Sequence, residues 1–181
     1  MLMTLVAVIG MAQSSTWPIT ITKADGLPGN KEPQSYTYES ELFKFDEAIS
    51  TLRYTVVSTN TVDALTTNSS DGMCYGFPFF SLGELTILDK DGNPVEYTAT
   101  TNALAEGDGA IENLNDGKHN THFHTAYNDK VNCEQVFHYI ELEFAQPISE
   151  FRIKTMTRAN YTKNMPTYVG LTPGTEYVPY P

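Results

Sequence analysis

Short stretches in which apolar and polar residues alternate recur along most of this chain. They are the ranges 19–22, 42–46, 49–59, 82–89, 95–98, 138–144 and 151–156. Successive side chains of a β-strand point to opposite faces of its sheet, so this period of two predicts strands. Turn-forming residues separate the stretches, and helical periodicity is limited to one turn at 103–112. The pattern predicts an all-β protein, with a short turn between 42–46 and 49–59.

The composition supports the same fold class and limits the partners. Charged residues make up 18% of the 181 residues and aromatic residues 12%, while Thr, Tyr, Val and Ile recur in the predicted strands. Eleven basic and 22 acidic side chains give a net charge of −11. DNA or RNA would be repelled at long range, and the sequence contains no cluster of Lys and Arg that would overcome this. A nucleic-acid partner is therefore not expected.

The N-terminal residues 1–12 form an apolar run of about the length of a signal-peptide core. The run has no basic residues, it is too short to cross a bilayer, and no other segment reaches transmembrane length. We interpret it as the remnant of a signal peptide, with a buried N-terminal strand as the alternative. Export would place the protein outside the cell or on its surface. Cys74 and Cys133 could pair in that oxidising environment, and the sequence leaves this open.

Two segments resemble a known family. Residues 113–125 read Asn-Leu-Asn-Asp-Gly-Lys-His-Asn-Thr-His-Phe-His-Thr, and residues 138–158 read as two core strands followed by Arg158. Together they resemble the discoidin-like, galactose-binding-like domains, whose members mostly bind ligands and rarely catalyse reactions. The resemblance implies a galactose-binding-like jelly-roll β-sandwich and places Phe123 in its core.

The order of these motifs differs from the usual discoidin-like chain. The strand pair that ends a typical family member resembles residues 52–57 and 81–88. Here these residues precede the segment 113–125, which contains Asp116 and Gly117 and is called the Asp-Gly loop below. Either residues 17–97 and 99–181 form two partial domains, or residues 13–181 form one sandwich with a permuted strand order. Half a sandwich would expose long unpaired strand edges, which favours the single domain.

The resemblance also implies a structural calcium site. Its oxygen ligands would come from the loop residues Asn113, Asp116, Lys118 and Thr121 and from Gly83 and Glu84 on the later strand of the family. Asp116, Thr121 and Glu84 would use side-chain oxygens, and the others backbone carbonyls, a set that suits Ca²⁺. Lys118 replaces the commoner Asp or Asn, and its ammonium would lower the affinity for the cation. The alternative is an Asp-Gly turn capped by Thr121 without any ion.

A sugar-binding face is the second site that the resemblance implies. Arg158 stands where carbohydrate-binding relatives place an Arg, and Asn160 or Asn164 would add an orienting amide. Tyr75 and Phe77 precede the Glu84 strand, where the same relatives present an aromatic ring to the apolar side of a sugar. His122 is a further candidate for this face. The alternative is that Arg158 pairs with an acidic neighbour and that the aromatic residues, above all Phe79 and Phe80, lie in the core.

Other metal and catalytic interpretations have less support. His119, His122 and His124 suggest zinc, but no acidic or Cys ligand completes a tetrahedral set at the usual spacing. Residues 89–93 resemble the start of a calcium-binding EF-hand loop, but Pro94 and Thr100 stand where the motif needs Gly and Glu. A hairpin turn is predicted there instead. The sequence has no nucleophile, phosphate-loop or paired-carboxylate motif, which argues against an enzyme.

The expected function is therefore non-catalytic carbohydrate binding by an exported protein. The partner would be a glycan or glycoconjugate, and the domain would serve a larger surface or glycan-degrading system, with further domains in a longer chain. Two alternatives stay open at this point. One is a structural or adhesion sandwich that binds no sugar, and the other is an accessory fragment of a glycoside hydrolase.

Overall fold

The computed structural model describes residues 15–18, 35–60, 74–75, 79–105, 107–126, 130–131, 137–160 and 164–174, with the backbone alone at 15–18, 74–75 and 130–131. The strands in these residues are β1 (Ser15–Pro18), β2 (Thr37–Glu39), β3 (Phe43–Thr59), β4 (Cys74–Tyr75), β5 (Ser81–Leu82), β6 (Glu84–Asp89), β7 (Pro94–Val95), β8 (Tyr97–Thr101), β9 (Phe123–His124), β10 (Lys130–Val131), β11 (Tyr139–Met156) and β12 (Pro166–Pro173). A short 3-10 helix, Ile111–Leu114, lies in the region where one turn was expected. The all-β prediction is confirmed.

All strand pairs are antiparallel, and eight of the described strands form one sheet. Its main path runs β1-β12-β3-β11-β6-β7, and β2 and β8 also pair with β11. Two small sheets, β10-β4 and β5-β9, lie at the loops. Because β5 and β9 pair Leu82 with Phe123, they join the segment before Glu84 to the Asp-Gly loop.

The strand β11 organises the sheet because its two halves have different neighbours. Residues 140–144 pair with β8, whereas residues 151–156 pair with β6. Between the halves the pairing with β3 shifts register at Ile148, and Ala145, Gln146 and Pro147 are exposed. Such irregularities bend a strand and increase its twist, and here they separate the half of β11 that pairs with β8 from the half that pairs with β6.

Two sequence-based strand boundaries were wrong for this reason. The predicted pair 138–144 and 151–156 is one continuous strand, and the predicted pair 42–46 and 49–59 is likewise the single strand β3. The polar interruptions look like turns in the sequence. In the structure the backbone stays extended through them and only the register changes.

Strands from both sides of residue 98 are hydrogen-bonded neighbours. Glu84 in β6 pairs with Met156 in β11, and Asp89 at the other end of β6 pairs with Phe151. A division at residue 98 would therefore cut through paired strands. The domain limits 1–12 and 13–181, the permuted order and the jelly-roll topology stay predictions.

The hydrophobic core lies between the layers and is shared by all the long strands. Its buried residues are Phe45, Ile49, Leu52, Tyr54, Val56, Phe80, Leu82, Leu85, Ile87, Leu114, Phe123, Ile140, Leu142, Phe144, Phe151, Ile153, Val169 and Leu171. Phe123 is fully buried, as expected, and its ring meets that of Phe80 edge to face with the ring centres 5.9 Å apart. The aromatic residue of the Asp-Gly loop thereby holds that loop against the sandwich.

Several other expectations concern particular segments. The turn at 89–93 is the hairpin between β6 and β7, and the Asp89 carboxylate accepts hydrogen bonds from the backbone of Asp91 and Asn93. In the described part of the chain, no helix is long and apolar enough to cross a membrane. The predicted strand 19–22, the signal-peptide remnant 1–12 and the disulfide between Cys74 and Cys133 lie outside the residues whose side chains the structure describes.

Candidate functional site

The Asp-Gly loop is ordered around the carboxylate of Asp116. Asp116 Oδ1 accepts a hydrogen bond from the Lys118 backbone N–H at 2.8 Å and lies 2.9 Å from the Thr121 hydroxyl. The same hydroxyl lies 3.0 Å from the Lys118 carbonyl oxygen. A hydroxyl has one proton and can donate to one of these oxygens at a time. Gly117 makes the turn possible because its φ of 70° lies in the left-handed region.

The carboxyl group of Glu84 meets this loop from the first residue of β6. It hydrogen-bonds with Asp116 and with the backbone N–H groups of Gly117 and Lys118. Its Oε1 atom is buried and has no hydrogen-bond partner among the described residues. Desolvation first, and then the nearby Asp116, raise the pKa of Glu84 to about 7. Near neutral pH part of the protein therefore keeps a proton on Glu84, and in that form Glu84 can donate to Asp116.

Asp116 shows the opposite behaviour. Burial favours its neutral form, but hydrogen bonds from Lys118 and Thr121 outweigh this and hold the pKa of Asp116 below its usual value. The Lys118 ammonium, which is largely exposed, lies 3.5 Å from Asp116 Oδ2 and adds to the effect. The pKa values of the two carboxyl groups are thus pushed apart, as is common when two acids share a small space.

These residues fit a hard divalent cation. A buried oxygen without a partner, a second carboxylate, a hydroxyl and a carbonyl are the kinds of ligand that Ca²⁺ takes, and the cation would displace the proton on Glu84. In the described residues no group of three or more His, Cys, Asp or Glu side chains is placed to hold a metal. The remaining ligands would have to be backbone carbonyls and water.

The two other predicted ligands lie at the border of this cluster. Gly83 donates its N–H to the Met156 carbonyl at 2.7 Å, and a Cβ atom on Gly83 would lie 2.6 Å from the Thr157 carbonyl oxygen. Only glycine allows this approach of the two backbones. Asn113, in the 3-10 helix, donates from its side-chain amide to the His122 carbonyl at 2.7 Å. The structure thus brings Glu84, Asp116, Lys118 and Thr121 together, whereas the contacts just described for Gly83 and for the Asn113 side chain are with other parts of the backbone.

A second polar cluster forms around Asp108. The ring nitrogen Nε2 of His122 lies 3.2 Å from Asp108 Oδ1, and both side chains are partly exposed. The hydrogen bond with His122 lowers the pKa of Asp108 against a smaller effect of desolvation, and the charges of His124 and Arg158 lower it further. Asp108, His122 and Arg158 come from three different loops. We refer to these three residues as the Asp108 cluster.

Arg158 follows the end of β11 and is half-buried. Its loop is fixed by Thr157, whose backbone N–H donates to the Tyr36 carbonyl and whose hydroxyl accepts from the Tyr36 N–H. Asn160 is exposed, whereas Asn164 is only 5% exposed and its carbonyl accepts from the Ser81 N–H at 3.0 Å. Of the two predicted amides, Asn160 is thus the accessible one.

The structure describes neither of the two aromatic side chains that were predicted to contact a sugar. Phe77 lies outside the described residues, and Tyr75 is described only by its backbone, which pairs with Lys130. Phe79 is half-buried, and its ring lies 5.9 Å from that of His124 with an angle of 28° between the planes. The assignment to the core is confirmed for Phe80, which is fully buried, and is wrong for Phe79.

The three histidines have separate environments. His119 is exposed, His122 pairs with Asp108, and His124 is buried with Nδ1 in contact with the Thr125 carbonyl. Burial lowers the pKa of His124, partly offset by its contact with Thr125. A shared zinc ion does not follow from this arrangement.

Asp108 was not among the site residues predicted from the sequence. The glycine that follows it is a local signal that could have pointed to it. Asp108 is followed by Gly109, whose φ is 89°, and a Cβ atom on Gly109 would lie 2.7 Å from the His124 backbone nitrogen. The Gly109 carbonyl accepts the N–H of His124 at 3.3 Å. A glycine required for close approach therefore places the neighbouring carboxylate beside His122.

Comparisons with known proteins add no identification. No protein-family model, curated protein or solved structure matches this chain. The resemblance to discoidin-like domains therefore stays an expectation that rests on the motifs at 113–125 and 138–158.

Proposed function

We propose that this chain is a non-catalytic carbohydrate-binding module whose ligand face is the Asp108 cluster. The observations that support the proposal are the 3.2 Å contact between Asp108 and His122 and the electrostatic effect on Asp108 of Arg158, a half-buried residue of a third loop. Sandwiches commonly place binding residues on such loops, because the strands behind them form a rigid scaffold.

The chemistry of these groups suits a neutral sugar. Sugar hydroxyls both donate and accept hydrogen bonds, so they can donate to the Asp108 carboxylate and accept from the two parallel N–H groups of Arg158. His122 can serve in either role, depending on its tautomer. The half-buried ring of Phe79 lies beside the ring of His124. It offers an apolar surface for a sugar next to the polar groups of the Asp108 cluster. Asn160 is the accessible amide nearby in sequence.

A shallow site of this kind binds weakly. We expect dissociation constants in roughly the millimolar to micromolar range, or about −4 to −8 kcal/mol. Several copies or further domains of a longer chain would then raise the overall affinity by multivalency. Export to the cell surface or the medium, where glycans are abundant, is part of the same proposal.

The Glu84–Asp116 cluster has a separate role in this proposal. A bound Ca²⁺ would stabilise the loop by joining β6 to the Asp-Gly turn through both carboxylates and the Thr121 hydroxyl. The unpartnered Glu84 oxygen supports this assignment, because a buried polar atom without a partner costs about 1–3 kcal/mol.

The test combines a glycan array with calorimetry on wild type and two arginine variants. Arg158→Ala should lose the sugar found on the array, because removing the guanidinium leaves hydroxyls unpaired at a cost of about 1.5–3 kcal/mol. Arg152→Ala, which changes a half-buried arginine within β11, is the matched control and should bind as wild type does. Unchanged binding by Arg158→Ala would place the ligand face elsewhere.

One observation favours a second function. The Asp108 charge acts on Arg158, so the arginine has an acidic neighbour and the cluster could serve only to hold its loops together. The chain would then be a structural or adhesion module. Absence of binding to every glycan on the array, together with a loss of stability in Arg158→Ala, would support this second function.

A further inference from the structure

The cation cluster and the Asp108 cluster are connected at two places along the chain. Thr121, which contacts Asp116, is followed directly by His122, which contacts Asp108. Gly83, which precedes Glu84, lies against the backbone of Thr157, the residue before Arg158. Both His122 and Arg158 are therefore one residue away from a contact of the cation cluster.

Asn113 makes the connection to His122 direct. Its side-chain amide donates to the His122 carbonyl at 2.7 Å, and Asn113 lies in the short 3-10 helix that precedes the Asp-Gly turn. Leu114, the last residue of that helix, is fully buried in the core and anchors it. The Asn113 amide thus links the helix before the Asp-Gly turn to the backbone that carries the His122 ring.

We propose that Asn113 is a positioning residue that couples occupancy of the cation cluster to the position of His122. The inference rests on the proposed calcium site, and in its consequence for sugar binding it rests on the proposed ligand face as well. With a cation bound to Glu84, Asp116 and Thr121, the chain is fixed on the N-terminal side of His122, and Asn113 fixes the His122–Phe123 peptide on the other side. The His122 ring is then held in one place beside Asp108.

Coupling of this kind has a defined size and is reciprocal. Linked sites typically change each other's affinity by about 5–150-fold, and by thermodynamic necessity the effect is the same in both directions. The described contacts run through one hydrogen bond and one peptide, so we expect the lower end, about 5–10-fold.

The first experiment follows His122 directly and needs no sugar. The imidazole C–H signals of His122 are recorded by NMR while calcium is added to wild type, Asn113→Ala and Asn115→Ala. Asn115 is an exposed neighbour in the same loop and serves as the matched control. Calcium should shift the His122 signals in wild type and Asn115→Ala, and at least half of the shift should be lost in Asn113→Ala.

Melting temperatures of the same proteins separate positioning from stability. Asn113→Ala removes the side-chain amide but keeps the backbone carbonyl that the resemblance assigns to the cation, and Glu84, Asp116 and Thr121 are unchanged. Calcium should therefore still raise its melting temperature. If calcium raises the melting temperature of wild type but does not move the His122 signals, the coupling is refuted. A full His122 shift in Asn113→Ala refutes the role of Asn113. A wild-type melting temperature indifferent to calcium refutes the cation cluster and the coupling with it.

The second experiment measures the consequence for the ligand. Methyl β-galactoside, or the strongest array binder if that sugar does not bind, is titrated into each protein with calcium and with a chelator. Wild type and Asn115→Ala should bind about 5–10-fold more tightly with calcium, and Asn113→Ala should bind equally under both conditions. If no sugar binds but the His122 shift behaves as expected, the proposed function fails and the coupling stands.

Discussion

The raised pKa of Glu84 leads to a specific prediction for the pH dependence of stability when no cation is bound. The pKa of Glu84 is raised from 4.5 to about 7 in the folded protein. Between these two values the folded state binds more protons at this residue than the unfolded state does. Stability from Glu84 is therefore fully present below about pH 4.5 and is lost as the pH rises through about 7.

The size of the effect follows from the same two values. At about 1.36 kcal/mol per pKa unit, the difference between 4.5 and about 7 sets an upper limit of about 3.4 kcal/mol. Glu84 is only partly buried as a residue, so solvent screening reduces this, and we expect about 1–2 kcal/mol. For a domain of this size that corresponds to a decrease of about 2–8 °C in melting temperature.

The assay is thermal unfolding with a chelator at about pH 5 and about pH 8, compared with the same scans in excess calcium. The Glu84 contribution should lower the melting temperature at the higher pH in chelator, and calcium should reverse this, because it replaces the proton between the two carboxylates. Glu84→Gln mimics the protonated form, so its melting temperature should fall less than that of wild type over this pH interval.

Comparison of variants isolates Glu84 from the other titrating groups. Glu143→Gln removes an exposed carboxylate in β11 and should keep the wild-type pH dependence. If Glu84→Gln and Glu143→Gln both behave as wild type does, the raised pKa of Glu84 makes no contribution to stability. If calcium changes no melting temperature at either pH, the pair of carboxyl groups is a hydrogen-bonded contact without a metal function.

Three further predictions concern single side chains. Gly109→Ala should lower the stability by about 1–3 kcal/mol in thermal unfolding, because φ is 89° and the new Cβ would lie 2.7 Å from the His124 nitrogen. Lys118→Met should raise the calcium affinity measured by calorimetry by up to about fivefold, since it removes the exposed ammonium 3.5 Å from Asp116. An unchanged affinity would show that this ammonium does not compete with the cation for Asp116. Tyr54→Phe should leave the melting temperature unchanged or raise it, with a gain in the free energy of unfolding of up to about 1 kcal/mol. The reason is that the buried Tyr54 hydroxyl has no hydrogen-bond partner in the described part of the chain.

The fold class could be predicted from the sequence because alternation is a local property. Burial in β6 follows it closely: Leu85 and Ile87 are buried while Glu84, Thr86 and Leu88 are less so. The continuity of β3 and β11 could not be predicted in the same way. A bulged strand and a turn contain similar polar residues, and only the neighbouring strand decides between them.

In the candidate sites, too, contacts within one loop could be predicted from the sequence, whereas contacts between distant segments could not be predicted in the same way. The contact of Asp116 with Thr121 spans five residues and is a property of the loop, so the motif was sufficient to predict it. The contacts of Glu84 with Asp116 and of Asp108 with His122 join distant segments, and the second was not predicted at all. Asp108 has no motif of its own, and its role follows from the backbone approach that Gly109 allows.

These long-range contacts bear on the choice between a binding module and a spacer. A chain with a net charge of −11 gains nothing electrostatically by placing two carboxyl groups together, and here desolvation and the nearby Asp116 disfavour the ionised form of Glu84. A spacer could hold β6 against the Asp-Gly loop with an apolar pair at lower cost. In the proposed calcium site the position of that loop would depend on the cation, and the loop continues directly into His122. Such a dependence would serve the proposed binding module, which has to hold His122 in place, and it has no evident use in a spacer.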